Sequence, residues 1–160
     1  MLNRYYNAVD FNGEELNVME ILAWFKELIY EKGARLSMGE EGLNNISFLG
    51  DGRVWFESTG EPATQRLREI AEEFSVGFLH YFGNNSTYGE AVYSQGKLDI
   101  TLLDEDDLNT IGYDDTAMQY VVGGVPFTNH RQAIDHLLVK KKLDKQYQQR
   151  GAADHRARKR

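Results

Sequence analysis

Apolar residues at Leu16, Met19, Leu22, Phe25, Leu28 and Ile29 recur every three or four positions, which predicts one buried face of a helix. Gly33 is placed to stop it. Ahead of that helix, "RYYNAVDF" (Arg4–Phe11) is dense in aromatic and β-branched residues and reads as a strand closed by Asn12–Gly13. A second strand is expected at "RVWFEST" (Arg53–Thr59). In the following "GEPATQRLREIAEEF", Pro62 suits a first helical turn and Glu61 sits near the positive helix end. Leu67, Ile70, Ala71 and Phe74 form that helix's buried stripe.

"VGFLHYF" (Val76–Phe82) predicts a third strand. "YGEAVYSQGKLDITLL" then predicts one bent strand or a hairpin turning at Gln95–Gly96–Lys97. The stretch "SMGEEGLNNISFLGDG" (residues 37–52) is rich in Gly, Asn and Ser and is expected to be mostly loop. The resulting order, β-α-β-α-β-β, belongs to an antiparallel-leaning α+β layout. After Leu103, "MQYVVGGVPF" (Met118–Phe127) either returns to the sheet or covers it. Asn129 is a candidate cap for a last helix with Ile134, Leu137 and Leu138 on its apolar side. Beyond Tyr147, "QQRGAADHRARKR" has almost nothing to bury and is expected to be disordered. The expected division is therefore an acidic domain over residues 1–128, a basic helix over 129–148 and a disordered basic tail over 149–160.

Charge sharpens this division. The net formal charge of -7 conceals 8 Lys+Arg against 22 Asp+Glu in residues 1–128, and 10 against 3 in residues 129–160. An acidic body and a basic end are two electrostatic objects, each suited to a different partner. With no cysteine, disulfides and thiolate zinc sites are excluded. The N-terminus lacks the apolar stretch of a signal peptide and no apolar run approaches bilayer length, so a soluble cytoplasmic protein, with no membrane partner, is expected.

The segment "VWFESTGEPATQRLREIAEEFSVGFLHYFGNNSTYGEAVYSQGKL" (Val54–Leu98) carries a strand, a Pro-led helix ending in Phe, an aromatic strand and a Gly-x-Ala strand with a Gly turn. In these features it resembles the YubB-type ferredoxin-like domain of phages and plasmids. The opening "NRYYNAVDFNG" is similar to that family's Asn-containing first strand, with Tyr5 and Tyr6 where a Trp-Cys pair is usual. The resemblance, over roughly the first hundred residues, implies a ferredoxin-like sandwich, here with an added C-terminal helix, and a mobile-element origin. The family is functionally uncharacterised, so the resemblance implies no active-site residues.

"LLDEDDLNTIGYDD" (Leu102–Asp115) places six carboxylates in fourteen positions. Read as a calcium loop from Asp104, it has Leu108 at position 5, Asn109 at position 6 and Asp115 at position 12, so the pattern fails. Leu108 and Ile111 suit instead a short helix with an acidic first turn. No metal or cofactor is expected. No "GxSxG" is present, and His130 and His136 are six apart rather than the four of a helical zinc pair. His80 alternates with Phe78 and Phe82 and reads as a partly buried sheet residue, and the Gly pair of "VVGGVPF" reads as a turn. No catalytic residue is assigned, and no enzyme is expected.

Two binding modes remain. The first uses the acidic residues Asp104, Glu105, Asp106, Asp107, Asp114 and Asp115, with the stripe Glu69, Glu72 and Glu73, to capture a basic host or defence protein that handles nucleic acid. This reading, a non-enzymatic phage- or plasmid-type binding protein that inhibits its target, is the first expectation. The alternative is nucleic-acid binding through Lys140, Lys141, Lys142, Arg156 and Arg158 together with sheet aromatics. By strand alternation Tyr6, Trp55, Phe78, His80 and Tyr93 are the candidate platform, with packing beneath the C-terminal segment as their other expected role.

Overall fold

A computed structural model of the chain describes residues 3–32 and 42–159. Gly33, the expected helix stop, residues 37–41 of the expected loop, and Arg160 lie outside the described residues. The fold is α+β, built on a mostly antiparallel sheet, with a long helix at its C-terminal end. The chain divides into two compact units, Met1–Ile100 and Thr101–Arg160, whereas the sequence pattern suggested a division after residue 128.

The first unit opens with β1 (Arg4–Asn12), α1 (Glu15–Lys32), β2 (Asn44–Phe48) and β3 (Val54–Thr59). It continues with α2 (Thr64–Phe74), β4 (Gly77–Gly83), β5 (Tyr88–Ser94) and β6 (Lys97–Leu103), whose last residues enter the second unit. The sheet order is β2-β3-β1-β4-β5-β6. β1 is central and pairs antiparallel with β3 and β4, Ala8 lying opposite both Trp55 and Tyr81.

β2 corrects the expectation of a loop and of a β-α-β-α-β-β order. Its register shifts between Asn44 and Ser47, with Asn45 at φ 51°. That bulge destroys the two-residue alternation that would have marked a strand, yet still buries Leu43 and Ile46 in the core. The hairpin alternative at Gln95–Gly96 is the one adopted: both residues have positive φ, 52° and 76°, as a two-residue turn matched to strand twist requires.

The core lies between the sheet and the two helices. α2 buries Leu67, Ile70 and Ala71 as its periodicity predicts, with Phe74 partly covered. α1 differs from expectation. Ile21, Phe25 and Leu28 are its buried residues, while Leu16 and Met19 of the predicted face are exposed. The helix carries apolar residues on two sides, so periodicity alone selects a mixture of them.

The second unit contains a short helix α3 (Glu105–Leu108), the strands β7 (Gly112–Asp114), β8 (Gln119–Val122) and β9 (Val125–Phe127), and the helix α4 (His130–Arg158). The three strands form a separate antiparallel meander, so Met118–Phe127 builds its own sheet. α4 is capped by Asn129, whose side chain accepts from the Gln132 amide at 2.9 Å. The expected disordered tail is corrected: the same helix continues through residues 149–158.

Candidate functional site

The histidine with the fewest routes to solvent is His80, and its surroundings decide its role. Asn7 on β1 donates from Nδ2 to Ser58 Oγ at 3.0 Å and to the Tyr5 carbonyl at 3.2 Å. Its Oδ1 is therefore the acceptor for His80 Nε2 at 2.9 Å and for the Ala63 amide at 3.3 Å. This makes His80 the Nε2–H tautomer, and its Nδ1 accepts from the Thr64 hydroxyl at 3.2 Å. Ser58 Oγ in turn donates to the Glu61 carbonyl at 2.8 Å. Burial holds the His80 pKa down at about 3, so the ring is neutral at ordinary pH. Both ring nitrogens are occupied and the residue is fully buried. This network joins β1, β3, β4 and the start of α2 within the core. Sequence reasoning placed His80 correctly in its strand but missed Asn7, Ser58 and Thr64, because only the register brings them together.

The sheet aromatics separate into two groups. Tyr6 and Trp55 share one face and stack with ring centroids 5.9 Å apart. Phe78, His80 and Tyr93 point to the other face; Phe78 and Tyr93 stack at 5.5 Å within the core covered by α1 and α2. Tyr93 also walls a cleft of about 380 Å³ shared with Asn12, Glu72 and Gly96. There its hydroxyl donates to Glu72 Oε1 at 3.3 Å. The five-residue platform is thus corrected to the Tyr6–Trp55 pair, and Tyr93 is removed from it.

The acidic candidates are largely committed to local structure. Asp104 and Asp107 form a capping box, each side chain accepting the other's amide at 2.9 and 3.0 Å. Asp107 also accepts from Lys141. Burial raises the Asp107 pKa, but the hydrogen bonds from Lys141 and from the Asp104 amide outweigh it and hold the carboxyl below its ordinary value. Asp114 accepts from the amides of Thr116 and Ala117 at 3.0 and 3.2 Å, organising the β7–β8 turn. In the first unit, Glu69 pairs with Arg66 at 3.1 Å and Glu72 with Arg68 at 3.0 Å. Glu73, Glu105, Asp106 and Asp115 remain exposed. Among the described residues, no three His, Asp or Glu side chains are grouped as metal ligands, and no helix is long and apolar enough to cross a membrane.

α4 presents the contrasting surface. Its first half buries Ala133, Ile134, Leu137 and Leu138, and His130 and His136 pack on Tyr120 and Phe127 with centroids 5.3 and 5.0 Å apart. Past Lys142 none of the described residues is buried. The segment from Leu143 to Arg158 extends roughly 24 Å at about 1.5 Å per residue. Lys140 and the basic residues Arg150, Arg156 and Arg158 are exposed, while Lys141 is spent on Asp107. An isolated helix of such length is marginal, but this one grows from an anchored half that has already met the cost of nucleation.

No family model, curated protein or solved structure matches this chain.

Proposed function

We propose that this is a non-enzymatic nucleic-acid-binding protein that engages the phosphate backbone through the exposed half of α4. The observation that carries the reading is the continuation of the basic C-terminal segment as a helix clear of the core, with Arg150, Arg156 and Arg158 exposed along it. A regular rod of cations neutralises phosphates without reading bases, so binding is expected to be sequence-independent and salt-sensitive. Tyr6, exposed and stacked on the half-buried Trp55, adds a stacking surface for unpaired bases.

Fluorescence anisotropy with a labelled duplex of arbitrary sequence tests this. Replacing Arg150, Arg156 and Arg158 by Gln in the full chain is expected to weaken binding and to lower the slope of log K against log salt by about 0.9 per lost contact. Equal affinity and slope for the variant would reject α4 as the binding element.

The acidic-capture reading rests on Glu105, Asp106 and Asp115, exposed in the second unit and without the local duties of Asp104, Asp107 and Asp114. A basic host or defence protein is the partner it requires. Reversing Glu105, Asp106 and Asp115 to Lys should abolish retention of such a partner from nuclease-treated bacterial lysate; retention unchanged by the reversal sinks this reading.

For the first unit we infer a ferredoxin-like sandwich extended by β5 and β6. Support comes from the run β1-α1-β2-β3-α2-β4 and the sheet order β2-β3-β1-β4. A phage or plasmid origin and a cytoplasmic location are proposed on the resemblance of residues 54–98. Genomic neighbours of phage or plasmid type would support the origin, and a conserved chromosomal operon would argue against it.

A further inference from the structure

Two helices carry exposed apolar stripes that their own units leave uncovered. On α1, Leu16, Met19, Ala23 and Tyr30 lie at i, i+3, i+7 and i+14, the spacing of a coiled-coil seam. Leu16, Met19 and Tyr30 are between 59% and 87% exposed, although Ile21, Phe25 and Leu28 already seat this helix in the core. On α4, Val139, Leu143 and Tyr147 lie at i, i+4 and i+8 and are between 49% and 70% exposed. They fall on the side of α4 opposite Ile134 and Leu138, which are buried.

The borders of the two stripes have opposite charge. Glu15, Glu20 and Glu27 flank the α1 stripe, and its Lys26 is turned over the Phe48 ring at 5.7 Å. Lys140 and Arg158 flank the α4 stripe and Arg150 extends its line, with Asp144 and Asp154 as a partial offset. We propose that the α4 stripe of one copy docks on the α1 stripe of a second copy, apolar residues interdigitating and the Glu border of α1 meeting the Lys/Arg border of α4. Like helices facing each other, α1 on α1 or α4 on α4, would oppose borders of the same dominant sign, which disfavours those pairings. The contact is heterologous, α4 of one copy meeting α1 of another. The proposal shares Arg150 and Arg158 with the nucleic-acid reading but concerns a different occupant, and it is read on protein freed of nucleic acid.

The test is sedimentation equilibrium of the full chain, nuclease-treated and washed at high salt, from micromolar to millimolar concentration. Self-association is expected, weakened at least about tenfold by Met19→Asp or by Leu143→Asp. Both positions are exposed, so circular dichroism should match the parent chain. Glu20→Lys with Glu27→Lys should also weaken association, and adding Lys140→Glu with Arg150→Glu should restore it. A monomer at every concentration overturns the proposal. So does association that survives both apolar substitutions, a charge exchange that fails to restore it, or association seen only while nucleic acid is present.

Discussion

His80 Nε2 donates to Asn7 Oδ1 at 2.9 Å, across a sequence separation of 73 residues, and this bond is the centre of the buried polar network in the first unit. Asn7 is the one residue in that network using both its amide hydrogens and its carbonyl oxygen on protein partners. Such a network specifies register as well as stability, since a one-residue slip of β1 would point Asn7 away from every partner.

Asn7→Leu keeps the approximate volume but orphans His80 Nε2–H and the Ala63 amide. Each buried donor left unpaired costs about 1–3 kcal/mol, so a loss of roughly 2–6 kcal/mol is expected in urea unfolding. A loss below about 0.5 kcal/mol would mean that water or a rearranged Thr64 replaces the missing acceptor.

The pH dependence of stability follows from the same histidine. Its folded pKa is about 3, depressed by burial, and its unfolded value is near 6.5. Between those values the unfolded chain binds a proton that the folded chain refuses. The stability associated with His80 is therefore full above about pH 6.5 and declines as pH falls towards 3, by at most about 5 kcal/mol. Carboxylates lose their own contributions only at the lower end of this range. Denaturant midpoints should fall between about pH 6.5 and pH 4.5 in the parent chain and stay nearly level in His80→Phe over that window. Parallel profiles would place the proton uptake elsewhere.

Asp107 holds two roles that substitution can separate. Asp107→Asn weakens the pairing with Lys141, and because the two side chains are 30% and 42% exposed the expected cost is only ~0.5 kcal/mol after solvent screening. Asp107→Ala removes the reciprocal cap as well and should cost about 1–2 kcal/mol. The folded pKa is lowered, so this contribution is present above the ordinary carboxylate range and disappears as pH falls through the folded value. Thermal melts of both variants at neutral and acid pH measure it; equal losses in both would show that the cap contributes nothing.

Gly77 opens β4 where the strand passes close to its neighbours. A Cβ there would lie 2.6 Å from both Asn12 Oδ1 and the Tyr93 carbonyl oxygen. Asn12 can swing away, but the Tyr93 oxygen is backbone. Gly77→Ala should therefore destabilise by about 1–3 kcal/mol through displacement of β5. Hydrogen exchange should show the loosening concentrated in β4 and β5, and an unchanged exchange pattern would contradict this origin.

Sequence by itself determined the elements whose periodicity serves a single buried face. α2 with Leu67, Ile70 and Ala71, the strands β1, β3 and β4 and the Asn129 cap were all legible, because each rests on a local pattern of residues, while the turn at Gln95–Gly96 was legible as one of two alternatives. Tertiary structure decided the rest. The bulge at Asn44–Asn45 hid β2, and only the core's acceptance of Leu43 and Ile46 makes that segment a strand. Two apolar sides of α1 competed, and the sheet chose Ile21, Phe25 and Leu28. Strand register, a long-range property, placed Tyr6 and Trp55 on one face and Phe78, His80 and Tyr93 on the other. Among the six carboxylates of residues 104–115, the acidic start of a short helix was legible in the sequence and is the helix α3. The local hydrogen bonds of Asp104, Asp107 and Asp114 turned half of them into the framework of a short helix and a turn.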